Sequence, residues 1–173
     1  MAEAADPEPS LNALSREAAS EALTRCCGAT RWVRGMLARR PFASHTGMFA
    51  AAVEIWAQLG PEDYREAFSH HPEIGSNLED LRKRFGKTAA WSQAEQSAAM
   101  SASEATLRAL RDGNQAYRER FGYSFIVCAT GKSAEEMLAL LQARLKHDPD
   151  LELAIAAAEQ AKITHLRLEK LES

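Results

Sequence analysis

A β-strand is stable only beside another strand, and this chain of 173 residues offers one β-like run, residues 123–129 (Tyr-Ser-Phe-Ile-Val-Cys-Ala), with no second to pair with it. The expected fold class is therefore all-α, a single compact domain of about seven or eight helices in which 123–129 is a buried extended segment between two of them. The backbone N–H and C=O groups of such a segment need partners, and a polar ligand is one way to supply them. With 46% hydrophobic residues, the chain is long enough to bury one sizeable core.

Helix signals succeed one another along the rest. Residues 1–10 carry two of the six prolines and little that packs, which predicts a disordered lead-in before a domain over 11–173. Leu14, Ala18, Ala22 and Cys26 mark one face of a first helix over 12–27, with Gly28 as its stop. Trp32, Val33, Met36 and Leu37 repeat the pattern up to Arg39-Arg40-Pro41. Phe49, Ala52, Val53, Trp56 and Leu59 form an amphipathic stripe that ends at Gly60. Pro61 then opens a short helix with Glu62 and Asp63 in its first turn, ending near Ser69. Residues 75–90 are polar and mixed in charge, and read as a covering loop around a short helical piece. Ser92 and Glu95 have capping-box spacing and open a long helix that runs through Leu107, Leu110, Tyr117 and Phe121 to Gly122. Ser133 and Glu136 repeat that spacing before Met137, Leu138, Leu141 and Leu145, and Asp148-Pro149 opens a last helix to about Leu171. On that helix Glu159, Ile163 and Arg167 share a stripe that lies at the core boundary or turns into a site. No internal repeat is visible.

Several function classes are disfavoured. A net charge of -3 leaves no basic footprint for nucleic acid, so a small molecule or a protein partner is expected. No apolar run approaches the roughly 18 to 20 residues of a membrane span, and the acidic, Ala-rich start lacks signal-peptide features. Cys26, Cys27 and Cys128 are odd in number and lack C-x-x-C spacing, which suits buried thiols of a reduced, cytoplasmic protein. Gly131-Lys132-Ser133 imitates the end of a phosphate loop, but Ile126 stands where the motif requires glycine. The five histidines show no H-x-x-x-H spacing, so no metal is expected, and no G-x-S-x-G elbow supports a serine nucleophile. Exposed Ala-rich helix faces allow a homodimer.

Residues 69–75, Ser-His-His-Pro-Glu-Ile-Gly, set paired histidines against a proline between helical stretches. Proline disfavours the α region for the residue before it, so His71 belongs at a helix end, where a side chain can be aimed into a cleft. Nothing local chooses between His70 and His71. Glu95 alone reads as a cap, Arg167 as a salt-bridge partner of Glu159 or Glu95 or as a carboxylate clamp, and 125–129 as core.

Taken together, Cys26-Cys27-Gly28 with Trp32, Arg40-Pro41-Phe42, His71-Pro72 with Ile74-Gly75, Ser92-x-x-Glu95-Gln96, Phe121-Gly122-Tyr123-x-Phe125-Ile126-Val127-Cys128-Ala129 and Lys162-Ile163-x-x-Leu166-Arg167-Leu168 resemble the 2-oxo-4-hydroxy-4-carboxy-5-ureidoimidazoline (OHCU) decarboxylase family. The resemblance runs from about residue 11 to the end. It implies an all-helical, cofactor-free enzyme of uric acid degradation that converts OHCU to (S)-allantoin. It also implies His71 as the catalytic histidine, since the family's histidine precedes a proline, with Glu95 as the important acid and Arg167 as a basic partner. Substrate contacts are implied at Pro72, at Ser92, Gln93, Ala94, Glu95 and Gln96, and along the backbone of Phe125, Ile126, Val127, Cys128 and Ala129. Residues 76–90 depart from the family pattern, being longer and richer in charge. Two other classes stay open, a non-catalytic all-α interaction module and a metal-dependent hydrolase.

Overall fold

The computed structural model describes residues 6–72, 77–85 and 93–173, the side chains of 93–102 excepted. After a 3-10 turn at Ser10–Ala13 come α1 (Arg16–Cys26), α2 (Thr30–Ala38), α3 (His45–Ala57), α4 (Pro61–Ser69), α5 (Leu78–Phe85), α6 (Gln93–Phe121), α7 (Ala134–Arg144) and α8 (Pro149–Glu172). No strand occurs among the described residues, in agreement with the all-α expectation. No described helix is long and apolar enough to cross a membrane. Backbone contacts group the chain into two compact units, Met1–His70 with Leu153–Ser173, and His71–Glu152.

In the first unit α2 packs on α1, α3 and α4 around fully buried Leu23, Trp32, Met36, Met48 and Phe68. Both indoles place their N–H on a helix carbonyl, Trp32 on Ala52 (3.1 Å) and Trp56 on Ala157 (3.0 Å), so neither buried donor is orphaned. Residues 6–11 are tied down as well. His45 N–H bonds to the Pro7 carbonyl, Thr46 N–H to Asp6, and the amides of Ser10 and Leu11 to the carboxylate of Glu172. Two apolar faces differ from the expected ones. Helix α1 starts at Arg16, capped by Ser15, and buries Ala19, Ala22, Leu23 and Cys26, while Leu14 is exposed. In α3 the buried side is Met48, Ala51, Ala52, Ile55 and Trp56, and Val53 is 63% exposed.

In the second unit α6 packs against α5 and α7 around Leu81, Leu107, Leu110, Tyr117 and Leu141. Helix α6 ends where Gly122 takes a φ of 80°, a conformation glycine adopts without a Cβ clash, and its N–H closes on the Arg118 carbonyl. The capping box expected for α7 is present, with Ser133 Oγ accepting from Glu136 N–H (3.2 Å) and the Glu136 carboxylate accepting from Ser133 N–H (2.8 Å). The box expected at Ser92 and Glu95 lies outside the described residues.

Candidate functional site

Helix α4 delivers the paired histidines. Pro61 begins it, and the carboxylate of Asp63 reaches back to Gly60 N–H (3.0 Å) while holding Arg31 of α2 (2.9 Å). The helix stops at Ser69 with His70 as its cap, and His71 follows outside it, half-buried before the exposed Pro72. His70 closes the first unit and lies directly over Gly28, where an added Cβ would come within 2.7 Å of the His70 Cβ. Gly28 is thus a place of close approach as well as the residue after the α1 cap. His71 opens the second unit.

Arg167, half-buried on α8, points Nη1 at the carbonyls of Arg25 (3.3 Å) and Cys26 (3.4 Å). These are carbonyls of the last turn of α1, the negative end of its dipole, where a cation is favoured. Among the described residues its Nε and Nη2 have no partner. Thr24, Cys26, His70, Arg167 and Lys170 line an open cleft of about 610 Å³ within the first unit. Burial pushes the Cys26 thiol up to about 11, against the pull of the Arg167 and Arg25 cations, so that thiol stays protonated in neutral solution.

The segment 123–129 is irregular, with a bend at Tyr123, and no described strand pairs with it; Tyr123 and Ile126 are buried and Phe125, Val127, Cys128 and Ala129 half-buried. Three of its carbonyls find partners within the protein. Arg144 donates Nη1 to the Ile126 carbonyl (2.6 Å) and sets its guanidinium 4.6 Å from the centre of the Phe125 ring. Lys132 donates Nζ to the Cys128 carbonyl (2.7 Å) and its amide to that of Ala129 (3.1 Å). Arg144 in turn donates Nε to Glu152 Oε1 (2.7 Å), which also accepts the Tyr117 hydroxyl at 2.5 Å, and His147 Nδ1 lies 3.0 Å from Oε2. Burial, and next the hydrogen bond to Glu152, push the Tyr117 phenol far above its usual range.

The OHCU decarboxylase family model matches residues 12–169. The chain belongs to the OHCU decarboxylase family. It is similar to the uric acid degradation bifunctional protein TTL of Arabidopsis thaliana, 38% identical over 149 residues that cover 84% of this chain and 45% of that protein. It is also similar to the 2-oxo-4-hydroxy-4-carboxy-5-ureidoimidazoline decarboxylase of Mus musculus, 34% identical over 138 residues, 77% of this chain and 74% of that protein. The chain therefore spans less than half of the plant bifunctional protein and about three quarters of the mouse decarboxylase. Among solved structures, a crystal structure of OHCU decarboxylase in the presence of (S)-allantoin superposes with a TM-score of 0.68 at 33% identity, covering 88% of this chain and 96% of that one.

The expected site residues of this OHCU decarboxylase family member fall in both units. His71, Pro72, Gln93, Ala94, Glu95, Gln96 and the segment 125–129 belong to His71–Glu152, and Arg167 belongs to the other. Gln93, Ala94, Glu95 and Gln96 form the first turn of α6, with side chains outside the described residues, as is Ser92 altogether. Glu159 pairs with Lys162 at 2.5 Å. Among the described residues no three His, Cys, Asp or Glu side chains gather as a metal site. Sequence reasoning passed over Arg144 and Glu152, yet a signal was there. Met137, Leu141 and Arg144 follow i, i+4, i+7 spacing, which puts an arginine on the apolar stripe of α7.

Proposed function

We propose that this chain decarboxylates OHCU to (S)-allantoin in uric acid degradation, without a cofactor. The observation that carries the reading is the likeness, at 33% identity over 96% of its length, to an OHCU decarboxylase crystallised in the presence of (S)-allantoin. In the reaction the bond between C4 and the carboxylate breaks, CO2 leaves, and the electron pair passes into the conjugated ring. The C4 hydroxyl gives up its proton and becomes the carbonyl of the product, while a proton must be delivered from one face to the adjacent ureido-bearing carbon, C5. His71 is the proton handler, a general acid/base that deprotonates the substrate and returns the proton, because an imidazole ordinarily titrates near pH 6.5. Its half-buried place beyond the end of α4 supports this role. Glu95 accepts from the ureido N–H groups of the substrate, with Pro72, Ser92, Gln93, Ala94 and Gln96 around it. Arg167 pairs with the substrate carboxylate through its planar donor fork, and the open Nε and Nη2 donors support that assignment. The backbone of 125–129 supplies the remaining polar contacts.

The three cysteines are free, with Cys26 and Cys27 buried, which supports a reducing compartment, the cytoplasm. For assembly the reading is a homodimer, supported by the exposed Val53, which shares an apolar groove with Phe49 and Trp56 on α3. Freshly generated OHCU tests the activity by the ultraviolet loss of substrate, followed with and without a chelator. Acceleration over spontaneous decay in both samples is expected. Decay at the spontaneous rate would favour the non-catalytic interaction module, and acceleration abolished by the chelator would favour metal chemistry.

A further inference from the structure

Arg144 and Glu152 are almost entirely withdrawn from water, with exposures of 5% and 0%. A buried ion pair contributes little net stability compared with apolar residues of the same volume, so its geometry shows better what it does. Nε of Arg144 is committed to Glu152 Oε1 at 2.7 Å, and Nη2 lies 2.6 Å from the same oxygen. The remaining nitrogen, Nη1, goes to the Ile126 carbonyl at 2.6 Å, and the guanidinium face lies over the Phe125 ring. One side chain, oriented by one carboxylate, thus grips two consecutive residues, Phe125 and Ile126. Glu152 is itself held by the Tyr117 hydroxyl (2.5 Å) and by His147 (3.0 Å). At the far end Lys132 holds the carbonyls of Cys128 and Ala129. Between these two grips stands Val127, whose N–H and C=O have no partner among the described residues. A residue with both groups open offers one backbone donor and one backbone acceptor, which complements a ureido group carrying N–H and C=O together.

We infer that Arg144, oriented by Glu152, is a positioning residue that fixes the segment 125–129 so that the backbone N–H and C=O of Val127 are offered to the ureido part of the substrate. The inference rests on the decarboxylase reading above. Arg144 touches no reacting atom. It removes freedom the segment would otherwise lose on binding, and preorganisation of this kind appears in affinity. Lysine at this position keeps the charge for Glu152 but gathers its donors on one compact ammonium, without the spread planar fork or the flat face, so it cannot hold Ile126 and Phe125 together.

The test compares the wild type, Arg144→Lys and Trp56→Phe. The last loses a buried hydrogen bond in the other unit and controls for general destabilisation. Arg144→Lys is expected to raise KM for OHCU about tenfold while kcat stays within about threefold, the pattern of lost uniform binding. Amide hydrogen exchange at 126–128 should speed up in the same variant. Trp56→Phe should melt earlier with KM unchanged. A KM for Arg144→Lys within about twofold of wild type, or an equal rise in Trp56→Phe, overturns the positioning role. Should Arg144→Lys fail to fold, the paired change Arg144→Met with Glu152→Leu removes both charges together and carries the same reading. A wild type that does not accelerate OHCU decay overturns the decarboxylase reading and the positioning role with it, whereas an active wild type beside an unaltered Arg144→Lys overturns the positioning role alone.

Discussion

Pro72 keeps His71 out of the helix, and Gly28 makes room for the side chain of His70, so two adjacent and chemically identical residues have different neighbours. The His71→Ala variant is expected to lose at least about 100-fold in turnover with unchanged far-ultraviolet circular dichroism, the scale of a lost general acid/base. Activity near wild type would remove His71 from the chemistry. Gly28→Ala forces a Cβ against His70 and should cost about 1–3 kcal/mol, read as a lower thermal midpoint. A third outcome concerns pH. Burial pushes the Cys27 thiol up to about 11, partly offset by hydrogen bonds from Ala29 and Thr164. A group whose folded pKa is raised contributes its stability below the unfolded value, here 9.0, and loses it as pH climbs towards the folded value. Stability should therefore fall between about pH 9 and 11 by about 2 kcal/mol for this thiol, and Cys27→Ala should flatten that fall in denaturant midpoints.

Helix ends proved to be written locally, and helix faces less so. Ser133 and Glu136 close their reciprocal bonds at the start of α7, Gly122 ends α6 in the left-handed region, and Pro61 starts α4, each because a neighbour within four residues satisfies or terminates the backbone. Ser133→Ala removes one of these caps and should cost about 1 kcal/mol in unfolding free energy, measured by denaturant midpoint. The faces of α1 and α3 were harder to read for identifiable reasons. A separate 3-10 turn at Ser10–Ala13 ends before α1, so Leu14 is out of phase with the Ala19 and Leu23 face. Helix α3 carries apolar residues at Met48, Phe49, Ala50, Ala51, Ala52 and Val53 in succession, and a run that is apolar all round leaves its phase undecided. The stripe of Glu159, Ile163 and Arg167 did follow its spacing, since all three are half-buried along the edge of α8.

At the scale of the whole chain, the sequence carried the helix order, the unpaired segment 123–129 and the family, because each depends on local pattern or on residues in sequence order. It did not carry the partners of the segment. Arg144 reaches Ile126 across 18 positions and is oriented by Glu152 from the next helix, a meeting that tertiary packing alone produces. The same limit applied to Arg167, whose carbonyl partners on α1 lie 142 and 141 positions away. The central claim is the reaction, and circular dichroism tests it most directly, because only enzymatic protonation on one face leaves an optically active product. With freshly generated OHCU, the wild-type protein should produce an (S)-allantoin signal that grows faster than the spontaneous background. A signal that stays at background while OHCU decays at its spontaneous rate would contradict the account.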